Sequence, residues 1–329
     1  MTRLDTDDVV ATEAAEECDG PRALLLESRE VPLGGVRAMA VHRSLPQRDL
    51  PLVGAWCFLD RFGPQVTRMR VEPHPHIGLQ TVTWPFVGEV RHRDTIGSDV
   101  VVRRGALNLM TSGAGIAHSE YSVGEDAIPL DALQLWVALP ESRRHGAPDF
   151  ERHEDLPVVT LPAVEGQSGV AIVVLGSFAG AESPATTYTP IAGAEVWVPA
   201  GARLRLPLDP AWEYALVGVE GDADVVTDAA TDEVVMVDPA HLLYLGVHRD
   251  VVEVSSAGGA TLFLLGGEPF EDDIVMWWNF VGRSHEEIVE AREAWEATSA
   301  RFGEVPGHAE RIPAPPMPAV RLTRRRRRV

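Results

Sequence analysis

The chain has 329 residues, with 29 basic against 49 acidic side chains and a formal net charge of −20. A body this acidic is repelled by nucleic-acid phosphates and by anionic lipid, which excludes a general nucleic-acid binder. At 45% hydrophobic and 24% charged residues, with 29 Gly and 25 Pro, the composition is that of a soluble globular chain, and the length is that of about two domains.

In chain order, residues 1–20 come first, and they are acidic and aperiodic, carrying Asp5, Asp7, Asp8, Glu13, Glu16, Glu17 and Asp19. That predicts a disordered arm, and it is the opposite of the positive-then-apolar pattern of a secretory leader. Nowhere does an apolar run approach the roughly 18 residues that span a bilayer; the best, Val170 to Leu175, is strand-sized. A cytoplasmic protein without membrane contact is expected. Cys18 and Cys57, the two cysteines, sit in the acidic arm and in an apolar strand-like segment, so no disulfide framework is read.

From Ala23 onward, short runs of Val, Leu and Trp are punctuated by Gly, Pro and Asp, which is all-β texture. Strands are predicted at Leu79 to Trp84, Glu89 to Arg93, Asp99 to Arg103, Ala106 to Met110 and Leu133 to Leu139. Their links, Val87-Gly88, Ile96-Gly97-Ser98 and Arg104-Gly105, carry tight-turn chemistry. A second, similar set runs from Val170 to Leu265. The expected division is an arm at 1–20, a barrel at 21–145, a linker at 146–168, a second barrel at 169–282, a helix at 283–302 and a Pro/Arg-rich tail at 303–329. The helix rests on Ser284 and Glu287 at capping-box spacing, with Ile288, Ala291, Trp295 and Thr298 on one face. The run Arg324 to Arg328 reads as a solvated end.

Two short clusters carry chemistry, His74-Pro75-His76 and His118-Ser119-Glu120. Alternate residues of a strand point to one face, so each cluster aims two ligand-type side chains the same way. If the two segments are neighbours in one barrel, four ligands converge. Three imidazoles and a carboxylate suit Fe(II), Mn, Co, Ni or Cu, and the absence of a thiolate argues against a structural zinc site. Six-coordinate iron would keep two positions open. His42, His92, His145, His153, His285 and His308 stand beside charged or polar neighbours and read as surface histidines.

The segments Pro73 to Trp84, Gly88 to Asp94, Leu109 to Glu120 and Leu133 to Val137 closely resemble the pirin family of the cupin superfamily. Phe58-Leu59-Asp60, Phe62-Gly63-Pro64 and Gly267-Glu268-Pro269 extend the resemblance over about residues 25–285. It implies a bicupin, two all-β double-stranded β-helix (jelly-roll) barrels with one C-terminal helix. It also implies one mononuclear metal, usually iron, in the first barrel, with Mn, Co, Ni, Cu and Zn as alternatives. The family's ligands fall on His74, His76, His118 and Glu120. In the second half, Arg205 to Asp209 stands about where the first histidine pair would be, and His248 with Asp250 reads as a turn. Many pirins have Arg after the H-P-H and Glu before Thr-Val, where this chain has Ile77 and Gln80; Arg104 stands where Pro usually precedes Gly105. Losing that charge pair changes the polarity of the pocket rather than the ligands.

Some pirins resemble quercetin 2,3-dioxygenases. The resemblance implies a flavonol-like or other aromatic enol bound at the metal, Glu120 accepting the hydroxyl proton, and O2 as co-substrate. Phe58, Met110, Gln134 and Trp136 are the candidate pocket walls. The alternative is a non-enzymatic, metal-dependent regulator that binds a transcription factor or a metabolic enzyme. A monomer is expected.

Overall fold

The computed structural model describes residues 20–33, 39–228 and 233–325. Most of the acidic arm, with Cys18, and Arg326, Arg327 and Arg328 lie outside the described residues.

The first half runs β1 (Pro21–Glu27), β2 (Arg29–Leu33), β3 (Met39–Leu45), β4 (Trp56–Thr67), β5 (Arg70–His76), β6 (Leu79–Val87), β7 (Val90–Asp94), β8 (Asp99–Val102), β9 (Leu107–Thr111), β10 (Ile116–Ser122), β11 (Ile128–Ala138) and β12 (Asp149–His153). The second runs β13 (Val158–Leu161), β14 (Ala163–Glu165), β15 (Gly169–Phe178), β16 (Ala181–Glu182), β17 (Ile191–Val198), β18 (Ala202–Pro207), β19 (Glu213–Glu220), β20 (Ala223–Asp228), β21 (Glu233–Val237), β22 (His241–Gly246), β23 (Val251–Ser256) and β24 (Ala260–Gly267). A short hairpin, β25 (Val275–Trp277) and β26 (Phe280–Gly282), leads into α1 (His285–Glu296).

Seven strands in the order β12-β9-β6-β11-β4-β3-β2 face the four-stranded sheet β5-β10-β7-β8 and form the first barrel. In the second, β1-β22-β19-β24-β17-β15-β13, with β16 beside β15, faces β14-β18-β23-β20-β21. Strand alternation sorts the side chains. On β6, β9 and β11 one face sends Val82, Trp84, Leu109, Leu133 and Leu135 outward, against Val217, Tyr244, Phe263 and Leu265 of the second barrel's large sheet. The largest apolar core therefore lies between the barrels. Inside the second barrel, Leu204, Leu206, Val225, Leu243, Leu262 and Leu264 fill the lumen. The first barrel keeps apolar side chains at its ends, with Phe58 and Trp136 in one cluster and Phe62, Val90 and Ala132 in another.

The chain crosses between barrels differently from the expected division. The segment expected as a linker carries β12 in the first barrel and β13 and β14 in the second. At the N-terminal end, β1 pairs antiparallel with β22, so residues expected in the first barrel complete the second. At the other end, the helix and tail return to the first barrel: Ile288, Ala291, Trp295 and Phe302 pack on Ile77 and Ala117. The tail is anchored by Trp295 Nε1 donating to Ile312 O at 2.9 Å and Ile312 N donating to Pro73 O at 2.8 Å. Arg325 N donates to Ile274 O, so this part of the basic run is tied down rather than solvated.

The helix is shorter than the pattern predicted. Ser284 caps it by accepting from Glu287 N, but the Glu287 carboxylate accepts from Arg283 N rather than from Ser284. It ends at Glu296, and Thr298, expected on the buried face, is exposed with φ of +51°.

Candidate metal centre

The site grows from one pairing register. β10 lies between β5 and β7, with His118 directly opposite His74 on one side and opposite Asp94 on the other. His74 and His76 share the inner face of β5, so three imidazoles meet in the lumen. One ring nitrogen from each of His74, His76 and His118 lies within 4.8 Å of the other two. The Nε2 atoms of His76 and His118 are 3.1 Å apart, the separation of neighbouring ligands on one ion, about 3 Å for bonds of about 2.1 Å. His74 Nδ1 is 2.9 Å from Glu72 O. A carbonyl only accepts, so Nδ1 carries the proton and Nε2 keeps its lone pair. No other cluster of three metal-ligating side chains occurs among the described residues.

All three rings are at most 7% exposed, and burial disfavours their charged forms. It pushes His74 down to about 4 and holds His118 and His76 well below the usual histidine range, with neighbouring histidines adding to the effect. Three neutral imidazoles form a donor set ready for a divalent ion, and the residues fit one.

Glu120 faces the same lumen, opposite His92, but its carboxylate lies outside the 4.8 Å group. The pairing of β10 with β5 shifts register between His118 and Glu120, and Thr83 Oγ1, 3.1 Å away, donates to the carboxylate. Burial raises the Glu120 carboxyl above its ordinary value, against opposing contributions from His92 and Thr83.

The expected pocket residues are gathered here in part. Phe58 and Trp136 stack at 3.9 Å with 12° between planes, and the Trp136 edge meets His76 at 5.2 Å. Arg43, paired bidentately with Asp60, covers the far face of Phe58. Gln134 is part-exposed and lies 2.9 Å from Thr83 Oγ1. Met110 is buried beside Thr81 and Phe150, on the lumen face of β9.

Several residues at the site were not singled out from the sequence. Asn108, register partner of Thr83, shares that lumen face; it is 4% exposed, and both its amide nitrogen and oxygen lack hydrogen-bond partners. His92, expected on the surface, is 4% exposed because β7 alternation turns Val90, His92 and Asp94 inward and Arg91 and Arg93 outward. The signal was present as H-x-D, but the flanking arginines masked it. His308, also expected on the surface, is enclosed on the barrel's outer side, where its Nε2 is 2.9 Å from Ser119 Oγ and its Nδ1 3.0 Å from Tyr121 OH.

A bicupin with three histidines converging in its first barrel defines a class. The comparisons place this chain within it: the family model "Pirin" matches residues 38–137, and "Pirin C-terminal cupin domain" matches residues 193–303. The chain belongs to the pirin family. It is 42% identical over 298 residues to a protein of Pseudomonas aeruginosa named "putative quercetin 2,3-dioxygenase", covering 88% of this chain and 89% of that one. A "pirin-like protein" of Caulobacter vibrioides is 32% identical, covering 89% and 99%. The crystal structure of a quercetin 2,3-dioxygenase from Acinetobacter baumannii superposes with a TM-score of 0.82 at 36% identity, covering 91% and 97%.

Proposed function

We propose that this chain is a metal-dependent dioxygenase of quercetin 2,3-dioxygenase type, with Fe(II) as its metal and a flavonol-like or other aromatic enol and O2 as its substrates. The observation that carries the reading is the convergence of His74, His76 and His118 nitrogens in a buried lumen that also holds Glu120. The names of the relatives support the reaction class.

A bound divalent ion would supply Lewis acidity at the substrate oxygen and, as iron, a path for electrons to O2. His74, His76 and His118 would hold it, and Glu120 would join them or act alongside them. Glu120 is suited to accept the enol proton because burial raises its basicity. Thr83 orients that carboxylate through its donated bond. The Phe58 and Trp136 stack supplies a flat apolar wall matched to an aromatic ring system. The unpaired Asn108 amide offers one donor and one acceptor, which suits a substrate carrying a hydroxyl next to a carbonyl.

Oxygen uptake with quercetin by the iron-reconstituted protein tests the reading. A rate well above that of free iron is expected, and a rate no greater overturns it. The depth of the ligands, none more than 7% exposed, favours a second reading, a metal-dependent regulator that binds a protein partner. That reading requires partner binding to differ between wild type and a His118→Ala variant.

A further inference from the structure

Behind His118 runs a chain of buried groups that ends in a carboxylate. His118 Nδ1 lies 3.2 Å from His92 Nδ1, and His92 Nε2 lies 3.2 Å from Asp94 Oδ2. The other oxygen, Asp94 Oδ1, accepts from Ile96 N at 3.0 Å and Ser98 N at 2.9 Å. Asp94 is 0% exposed. Phe150 stacks on the His92 ring at 4.9 Å with 26° between planes, fixing its rotation.

We propose that Asp94 and His92 are positioning residues that set the tautomer of His118, protonating its Nδ1 and leaving Nε2 as the metal-binding nitrogen. The inference rests on the reading of His118 as a ligand. A ring nitrogen of neutral imidazole donates only where it carries the proton, and the other accepts. An ionised carboxylate only accepts, so His92 Nε2 carries a proton and donates to Asp94. In the neutral ring His92 Nδ1 is then the acceptor, and the only donor 3.2 Å away is His118 Nδ1–H. The remaining nitrogen of His118 is the one 3.1 Å from His76 Nε2. His74 obtains the same result from a backbone carbonyl; His118 obtains it from two side chains, which mutation can reverse.

Asp94→Asn supplies the reversal. Its oxygen can keep the bonds from Ile96 and Ser98, while its amide nitrogen would face His92 Nε2 and require it to accept. The chain then inverts, and His118 Nε2 becomes protonated. Nitrogen-15 NMR of histidine rings in the metal-free protein should show His118 protonated at Nδ1 in the wild type and at Nε2 in Asp94→Asn. Fe(II) affinity, measured anaerobically by chelator competition, should fall about 10- to 100-fold in Asp94→Asn and in His92→Phe, which keeps the ring shape without its nitrogens. His92→Gln, which can donate to Asp94 and accept from His118, should restore most of that loss. If Asp94→Asn does not fold, the two His92 variants carry the affinity test. His118→Ala should lose the metal. Wild-type affinity in Asp94→Asn and His92→Phe, with metal lost in His118→Ala, would overturn the relay and leave the metal site standing. Full occupancy in His118→Ala would overturn both.

Discussion

Asn108 buries an amide whose two polar atoms have no partners, and an unsatisfied buried amide costs about 1–3 kcal/mol. Such a group lowers stability unless a ligand completes it. Asn108→Leu should therefore raise the midpoint of urea unfolding while raising KM for a flavonol; an unchanged KM would remove Asn108 from the substrate site. The histidines give a second prediction. In the metal-free protein they resist protonation, His74 down to about 4, whereas the unfolded chain takes up protons below about pH 6.5. Between those values the unfolded state binds more protons, so stability falls as pH falls. The thermal midpoint of metal-free protein should drop from pH 7 to pH 5, and His74→Phe should flatten that slope. At this scale the sequence made H-x-H legible because alternation alone aligns its members, whereas the register shift between His118 and Glu120 is not something alternation foresees. Thr83 and Asn108 were not legible, since nothing in an isolated Thr or Asn distinguishes a lumen position from a solvated one. His92 was hidden by Arg91 and Arg93, which point the other way.

The element that matters most is the turn joining β5 to β6. Gly78 adopts φ of +69°, and a Cβ there would stand 2.1 Å from Val281 O of β26. Both the backbone sign and the close approach require glycine. Gly78→Ala should lower unfolding free energy by roughly 1–3 kcal/mol and, because His76 is two residues away, reduce metal content; denaturant unfolding and metal analysis read the two effects. The departures from the family pattern find their explanation beside this turn. Ile77 is buried among Ala117, Phe280 and Ile288, and Gln80 donates to Thr111 Oγ1 at 2.9 Å and to Thr186 O of the second half at 3.1 Å. The charge pair is replaced by apolar packing and a neutral bridge. Strands with clean turn signals, such as β6 to β9, were legible. β10 was not among the expected strands: it is buried as fully as β6 and β9, but its sequence, Ile116 to Ser122, lacks their runs of Val and Leu.

Across the whole molecule the barrels are joined by more than apolar contact. Glu195 of the second barrel is 5% exposed and accepts from Trp84 Nε1 at 2.8 Å and Arg104 Nη2 at 2.8 Å, both from the first. Arg104, the residue standing where the family usually has proline, thus spans the junction. Arg104→Ala should leave the Glu195 carboxylate with one donor and lower stability by about 1–3 kcal/mol; in a double-mutant cycle with Glu195→Gln, which keeps an acceptor for Trp84 Nε1, the losses should fall short of their sum, and additive losses would show that the pair is not coupled. Two similar halves were visible in the sequence. Their packing through outer faces was not, because an apolar residue on one face of a strand does not say which neighbour covers it.

Each barrel is finished by the far end of the chain. β1 completes the second barrel, and the tail beyond α1 clamps Pro73, next to His74, in the first. During synthesis, then, the histidine-bearing strand emerges well over two hundred residues before Ile312, the residue that clamps it. The three imidazoles therefore take their clamped positions only after the whole second barrel and α1 have been made.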